Sequence, residues 1–150
     1  MSTLVVLRVL ERLHGHLAWL AVAGLLHPAL LLRNPRRRAP LAVGLTTGLV
    51  VVAASLGAWV YPEYRARLKQ HLFLEAPRLG WMFERKEHLA VGVVAFALVG
   101  CVAHLAVPWC EPGDTRLVVA RLAQRAFAVA FALGVAVGVL GVAVASYKSF

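Results

Sequence analysis

Residues 126–147 read AFAVAFALGVAVGVLGVAVASY and contain no charged side chain. A helix needs about 20 apolar residues to cross the roughly 30 Å hydrocarbon core of a bilayer, so this segment predicts a transmembrane helix. Within it, Ala130, Gly134 and Gly138 recur every four residues. Such stripes of small residues let helix backbones approach closely in lipid. The segment therefore predicts a membrane protein whose helices pack closely.

Three further apolar segments precede this one, separated by turns that contain basic residues or prolines. Each has the length that a transmembrane helix requires. The second segment repeats the small-residue spacing at Gly44 and Gly48. Both stripes predict faces that pack inside the bundle or, as the second possibility, between two copies of the chain. The four predicted spans are residues 13–32, 40–61, 88–109 and 126–147. We therefore predict an all-α fold with a single domain over residues 1–150, an integral membrane, up-and-down four-helix bundle.

The composition agrees with a membrane protein. The chain is 61% hydrophobic and 15% charged, whereas soluble domains are about 25% charged. The formal net charge is +9, but the basic residues lie between the apolar segments, as membrane-flanking anchors do, and form no long run. This pattern disfavours a nucleic-acid partner and indicates the lipid bilayer as the principal one.

An even number of spans places both termini on one side of the membrane, which we name side A. Side A also holds the long connection 62–87. The opposite side, side B, holds two short turns at residues 33–39 and 111–115.

The connection on side A contains a short amphipathic stretch. Tyr64, Leu68 and Leu72 recur every four residues with basic residues around them, a pattern typical of a helix that lies in the membrane interface. Pro62 suits the first turn of such a helix, and Pro77 ends it. We therefore predict an interfacial helical segment between the second and third spans. It would serve either as a cap over the bundle or as one wall of a site for a quinone headgroup or another amphipathic ligand.

Five histidines lie within the predicted spans, and four of them fall at matched depths. His16 and His88 are near the side-A ends of the first and third spans, and His27 and His104 are nearer side B. Histidine is costly in hydrocarbon and marks a functional site there. Because the first and third spans run in the same direction, each pair would lie at one depth. Two such pairs are the axial ligands that a dihaem b-type cytochrome needs.

The directions of these side chains around their helices separate the two pairs. At about 100° per residue, His16 and His27 lie on one face, roughly 20° apart. His14 lies roughly 140° from His27, so His16 is the better candidate ligand. His88 and His104 lie roughly 160° apart, on nearly opposite faces. One haem b, held by His16 and His88, is therefore easier to accommodate than two.

Side A offers a non-haem metal site as an alternative. Glu84 and His88 are one helical turn apart on one face, and His14, His16 and His71 can reach the same rim. Carboxylate and imidazole suit zinc, iron or copper, and they equally suit a proton relay. The structural alternative is that the charges form an interfacial collar, that His71 is solvated, and that the buried histidines bond to neighbouring helices.

The cysteines and the missing catalytic motifs limit the chemistry. Cys101 and Cys110 form no C-x-x-C pair, which disfavours thiol-redox enzymes and covalent haem attachment. The sequence contains no recognisable nucleophile–base set. We therefore expect no independent catalytic activity.

Two short motifs carry a family resemblance. The stretches YPEYR at Tyr61–Arg65 and FERKEHL at Phe83–Leu89 resemble small four-helix bacterial inner-membrane proteins of unknown function, some of them linked to respiratory oxidases. The resemblance implies a bacterial inner (cytoplasmic) membrane, a respiratory setting and a role for His88.

Together these features predict a membrane haem b protein of electron transfer, a subunit or partner of a respiratory complex, with a quinone site nearby. Two alternatives stay open. One is a cofactor-free accessory or assembly subunit whose histidines are structural, and the other is a membrane protein that handles metal ions or protons.

Overall fold

The computed structural model describes residues 3–147 and, within them, the side chains of residues 5–66 and 69–146. All regular structure in this part of the chain is helical, which confirms the predicted all-α class. A π-helical turn at Arg65–Lys69 follows the second helix, and a 3-10 turn at Val107–Trp109 follows the fourth. The helices are α1 (Thr3–Leu31), α2 (Pro40–Tyr64), α3 (Gln70–Glu75), α4 (Pro77–Ala106) and α5 (Asp114–Tyr147).

Proline and glycine residues determine where the helices begin. Pro40 and Pro77 occupy the first turns of α2 and α4, where the N–H that proline lacks would be unpaired in any case. Gly113 has a φ of 125°, a conformation that glycine adopts without steric cost, and it turns the chain into α5. Asp114 then opens α5, where its carboxylate is favourable beside the positive end of the helix dipole.

The lengths and compositions of three helices indicate a membrane protein that contacts the lipid bilayer. The helices long and apolar enough to cross a membrane are Pro40–Tyr64, Pro77–Trp109 and Asp114–Ser146. They contain the second, third and fourth predicted spans. The last two begin earlier in the chain than the predicted starts at residues 88 and 126. Helix α1 has 29 residues and contains most of the first predicted span, but it is not one of these three helices.

The four long helices pack around a common core. Helix α1 packs against α2 and α5, and α4 packs against α2 and, most extensively, against α5. The core is rich in alanine, and Leu25 and Phe127 are fully buried in it. Small side chains allow the helices to approach closely, which increases the van der Waals contact between them.

The predicted small-residue face of α5 packs against α1. Ala130 is fully buried. A Cβ atom added at Gly134 would lie 2.9 Å from a methyl group of Val22, and one added at Gly138 would lie 2.8 Å from the ring of Trp19. Since any larger side chain would collide here, the small residues set the distance between α1 and α5.

The small residues of α2 behave differently. Gly44 and Gly48 are exposed, and a Cβ atom at either position would meet nothing within 4 Å. The prediction that this face packs inside the protein is therefore wrong. The spacing shows that the two glycines share a face, but it does not say which way that face points.

The segment after the second span is helical, but it continues α2 without a break. Pro62 lies inside α2, so the prediction that it starts a separate helix is wrong. A proline removes one helical hydrogen bond, and the π-helical turn just after it accommodates the irregularity. Tyr64 and Gln70, on either side of that turn, keep helical backbone angles. Helix α3 ends at Glu75, and the next residue, Ala76, has a φ of −138°, outside the helical region, immediately before Pro77.

Helix α3 covers the side-A end of the protein. Leu72 is fully buried and clusters with Phe83 of α4 and Val144 of α5. Tyr64 stacks on Phe83, with ring centroids 6.1 Å apart. The side chain of Leu68, the third residue of the predicted amphipathic stretch, lies outside the described residues. The contacts of Tyr64 and Leu72 support the interpretation of this segment as a cap.

Candidate functional site

A groove lies near side A between α1, α2 and α4, and α5 forms a further wall of its smaller part. It consists of two adjoining cavities with volumes of about 660 Å³ and about 320 Å³. Most of the residues that line them are alanine, valine, leucine or glycine, but polar side chains gather at one end. We name six of these residues the polar end of the groove: Glu11, His14, Tyr61, Tyr64, Lys86 and Glu87.

Helix α1 directs two polar residues into the groove because they continue its buried face. Ala21 and Leu25 lie in the core. Counting back from them at the helical spacing of three and four residues leads to Ala18, His14 and Glu11. All three of these residues line the smaller cavity. The face of α1 that is apolar in the core therefore becomes polar toward side A.

His14 is hydrogen-bonded to α2. Its Nδ1 lies 3.0 Å from the backbone carbonyl oxygen of Ala53. Because a carbonyl oxygen only accepts, Nδ1 carries the proton, and Nε2 of the neutral ring is an acceptor. Gly57 permits this approach, since a Cβ atom at that position would lie 2.7 Å from His14 Cε1.

Glu87 connects α4 to α2 and to the π-helical turn. The Tyr61 hydroxyl donates to Glu87 Oε2 at 3.3 Å, and the Lys69 ammonium donates to the same oxygen at 3.4 Å. The other oxygen, Oε1, is buried and has no hydrogen-bond partner among the described residues. Buried acceptors nearly always have a partner, so this oxygen is a candidate contact for a ligand donor.

The charge of Lys69 is stabilised by the carboxylates around it. Partial burial disfavours the ammonium form, but attraction to Glu87, the hydrogen bond to it, and the charges of Tyr61 and Glu84 outweigh this effect. The pKa of Lys69 therefore lies above its ordinary value of 10.5. Lys69 is thus a cation at neutral pH, and it offsets part of the negative charge beside the polar end.

Tyr64 joins the polar end to α1 and α4. Its hydroxyl donates a hydrogen bond to the Glu11 carboxylate, and its ring lies nearly parallel to that of Phe83, at an interplanar angle of 9°. The Lys86 ammonium lies 5.0 Å from the centroid of the Phe83 ring, a distance typical of cation–π contact. The polar end thus combines carboxylates, an imidazole, phenols and an ammonium group at the end of an apolar groove. That combination can hold a ligand with a polar head and an apolar tail.

Three of the four predicted haem ligands point away from this groove. His16 and His27 are exposed on the outer side of α1. His88 is also exposed, and its Nδ1 lies 2.8 Å from the backbone carbonyl oxygen of Glu84, one turn earlier in the same helix. These three imidazoles are therefore directed to the surface of the chain.

The fourth predicted ligand, His104, is buried at side B. Its Nε2 accepts a hydrogen bond from the backbone N–H of Ala39 at 3.2 Å, which ties the start of α2 to the end of α4. No two histidines share any of the three cavities described here: the groove contains His14, and a cavity on side B contains His104. None of these cavities therefore fits a haem b held by two histidines of one chain, and haem ligation stays a prediction.

The residues of the alternative metal site have other contacts. Glu84 pairs with Lys69 at 3.5 Å, and the His88 ring faces its own helix backbone. His71 pairs with Glu75 at 3.0 Å, with both side chains exposed. Within the described residues, no group of three or more His, Cys, Asp or Glu side chains is arranged to hold a metal ion.

The sequence contains a signal for the polar end that the motifs above do not use. Glu11 and Lys86 are not among the predicted site residues, and His14 is ranked below His16. The inward stripe of α1 continues back to Glu11 at helical spacing. On α4, the buried residues Val93 and Ala97 lead back in the same way to Lys86. The buried faces of α1 and α4, continued toward side A at helical spacing, therefore lead to the polar end of the groove.

Comparison of the chain with protein-family models, with curated proteins and with solved structures found no match.

Proposed function

We propose that this chain is an integral membrane protein that binds an amphipathic ligand in the groove lined by α1, α2, α4 and α5. The observation that carries the proposal is an apolar groove with two hydrogen-bond acceptors at its polar end, Glu87 Oε1 and His14 Nε2. Ligand sites in proteins typically combine apolar walls with a few well-placed polar groups. The larger cavity, about 660 Å³, is also of the size that small-molecule sites have.

A quinone with an isoprenoid tail suits this distribution of groups. The hydroxyls of a reduced quinol would donate to Glu87 and His14. The carbonyl oxygens of the oxidised form would accept from the Lys86 ammonium. The tail would run along the alanine and valine side chains of α2 and α4. The proposed role is therefore quinone binding in an electron-transferring membrane, and the resemblance of Tyr61–Arg65 and Phe83–Leu89 to respiration-linked proteins favours the same setting.

We further propose that α1 also crosses the membrane, which completes the up-and-down four-helix bundle. Its 29 residues extend over about 44 Å at about 1.5 Å per residue. It packs between α2 and α5, and its exposed residues include Leu13, Leu20 and Leu30. In this arrangement the polar end lies at the side-A boundary of the hydrocarbon, where a headgroup keeps access to water.

Binding of decyl-ubiquinone to the protein in mild detergent tests the groove. Trp19 lines the smaller cavity, so quenching of its fluorescence reports occupancy, and a Trp19→Phe variant identifies its share of the signal. We expect saturable binding to the wild type. We expect binding about tenfold weaker in Glu87→Gln and in His14→Phe. The first substitution removes a negatively charged acceptor from the polar end, and the second removes a neutral acceptor.

The matched control is His88→Phe, which makes the same chemical change at an exposed histidine outside the groove. Its affinity for the quinone should equal that of the wild type. Quenching that rises linearly without saturation, or equal losses in His14→Phe and His88→Phe, would exclude the groove as the binding site.

The outer face of α1 supports a second candidate function, a subunit that packs against a partner helix in a larger membrane complex. A repeat of alternating three- and four-residue steps is typical of paired helices, and imidazoles that face lipid without partners are costly. A partner helix on this face would bury both histidines. The exposed residues with this spacing are Val9, Leu13, His16, Leu20, Ala23, His27 and Leu30.

A haem b is compatible with this second candidate if the partner supplies one axial ligand and His16 or His27 supplies the other. The test is the oxidised and dithionite-reduced absorption spectrum of the protein purified together with its membrane partners. A Soret band and a reduced α-band that are lost in His16→Ala or His27→Ala, but kept in His14→Ala, would support haem ligation. A colourless complex would leave a cofactor-free accessory subunit as the second candidate.

A further inference from the structure

A cavity of about 500 Å³ lies on side B, between the turn 33–39, the end of α4 and the start of α5. We name it the side-B cavity. None of the described residues that line it is acidic, and none of its arginines forms a salt bridge with a described side chain. Its polar lining consists of Asn34, Arg36, Arg37, Arg38, His104 and Arg116.

One wall of the side-B cavity carries an arginine that backbone carbonyls hold in place. Arg116 Nε donates to the Val107 carbonyl oxygen at 3.2 Å, and its Nη2 donates to the Pro108 carbonyl oxygen at 3.4 Å. Both carbonyls lie in the 3-10 turn that follows α4, and the Val107 oxygen also accepts from the Cys110 backbone N–H at 3.4 Å. An arginine side chain carries five N–H groups, so donors remain for a ligand after these two bonds are made.

The opposite wall is a turn that presents three consecutive arginines. Asn34 organises it: its side-chain oxygen accepts from the Arg36 backbone N–H at 3.0 Å, and its carbonyl oxygen accepts from the Arg37 N–H at 3.0 Å. The backbone N–H of Ala39 donates to His104 Nε2 at 3.2 Å. Because Nε2 accepts, the proton of the neutral His104 ring is on Nδ1.

The charge and the donors of the side-B cavity match one class of ligand. Four guanidinium groups around one space repel each other, and an anion between them removes that repulsion. Guanidinium groups bind phosphate through two parallel hydrogen bonds, a geometry that lysine lacks. We propose that the side-B cavity binds a phosphate group, either in the headgroup of an anionic phospholipid or free in solution.

The position of the side-B cavity makes a lipid headgroup accessible to it. The cavity lies at the ends of helices that are long and apolar enough to cross a membrane. Leu105 and Leu117 line it and are themselves exposed, so acyl chains can lie against them while the phosphate contacts the arginines. Basic pockets between membrane helices bind anionic headgroups in this manner.

Native mass spectrometry of the full chain in mild detergent tests the site, with phosphatidylglycerol and phosphatidylcholine as probes. We expect the wild type to retain phosphatidylglycerol in preference to phosphatidylcholine. Arg38→Gln should weaken that retention about tenfold, because one charged contact is lost. Arg116→Gln is the second variant, in case Arg38→Gln fails to fold. The matched control is Arg33→Gln, which changes an exposed arginine of the same turn that does not line the cavity.

Competition with inorganic phosphate distinguishes the two sources of the ligand. If inorganic phosphate displaces phosphatidylglycerol and raises the melting temperature of the protein in phosphatidylcholine nanodiscs, the ligand is a soluble phosphate. Retention of phosphatidylglycerol that phosphate does not displace assigns the lipid. Equal retention of the two lipids, or equal losses in Arg33→Gln and Arg38→Gln, would overturn the proposal.

Discussion

The imidazole of His14 lies directly against the backbone of Gly57, so that a Cβ atom at position 57 would come within 2.7 Å of His14 Cε1 and 3.3 Å of both ring nitrogens. With no side chain between α1 and α2 at this point, the ring reaches the Ala53 carbonyl oxygen at 3.0 Å. The glycine therefore determines where one acceptor of the polar end lies.

Gly57→Ala should destabilise the protein, whereas Gly48→Ala should not. The added methyl group displaces the His14 ring and breaks its hydrogen bond, and overpacking together with that loss exceeds the usual gain of alanine over glycine in a helix. We expect the free energy of unfolding to fall by about 1 kcal/mol. Gly48 lies in the same helix and faces open space, so Gly48→Ala should raise that free energy by up to about 1 kcal/mol.

Unfolding of the variants in one detergent measures both changes, and His14→Ala supplies the control. Without the ring, Gly57→Ala should behave as Gly48→Ala does. A Gly57→Ala penalty of the same size in the presence and absence of His14 would show that the two residues are not coupled.

Phe127→Ala should be far more damaging than Phe96→Ala. Phe127 is fully buried, and its ring fills the space beside Gly100, where a Cβ atom would lie 2.9 Å from it. Removing a buried phenylalanine ring costs about 3–5 kcal/mol. Phe96 is 40% exposed, so its loss should cost about 1 kcal/mol or less. Thermal unfolding compares the two, and similar losses of stability would contradict the packing of α4 on α5.

The raised pKa of Lys69 predicts how the stability of the protein changes at alkaline pH. Partial burial lowers this pKa, but Glu87 and its neighbours raise it by a larger amount, so the folded-state pKa lies above 10.5. The folded state therefore holds this proton more tightly than the unfolded state does. The stabilisation is complete below the unfolded-state pKa and is lost as pH rises through the folded-state value.

Melting temperatures measured from about pH 9 to about pH 12 test this effect against Lys69→Arg. The guanidinium group stays charged over this range, so the variant should lose less stability than the wild type above pH 10.5. Both proteins contain the same tyrosines, so the difference between the two curves reports the substitution at position 69. Parallel curves of melting temperature against pH would show that the Lys69–Glu87 pair does not contribute to stability in this pH range.

Replacing His16 and His27 together by leucine should preserve the fold of the isolated chain while changing its assembly. Both side chains are exposed, so no contact within the chain is lost. A partner helix that pairs with these imidazoles would be released. Blue-native electrophoresis of membranes measures this, with His88→Leu as the control for an exposed histidine on α4. An unchanged assembly size in the double variant would argue against a partner on this face.

The directions of the histidines of α1 could be predicted relative to one another, but not relative to the core. The 3.6-residue period places His16 and His27 on one face, and both are exposed on the outer side of α1. The same period separates His14 from that face, and His14 alone of the three points into the groove. The period determines the angles between residues of one helix, but it does not determine which face turns inward.

Composition and residue spacing were enough to predict the helical class, the apolar helices long enough to cross a membrane and the close packing of Ala130, Gly134 and Gly138. These properties follow from local composition and from helical periodicity within single segments. Contacts between distant segments place His14 inward, bring Lys69 to Glu87 and gather the arginines of the turn 33–39 and of α5 around one cavity. The rotation of each helix is set by contacts between helices, such as that of Gly138 with Trp19, and those contacts join residues far apart in the chain.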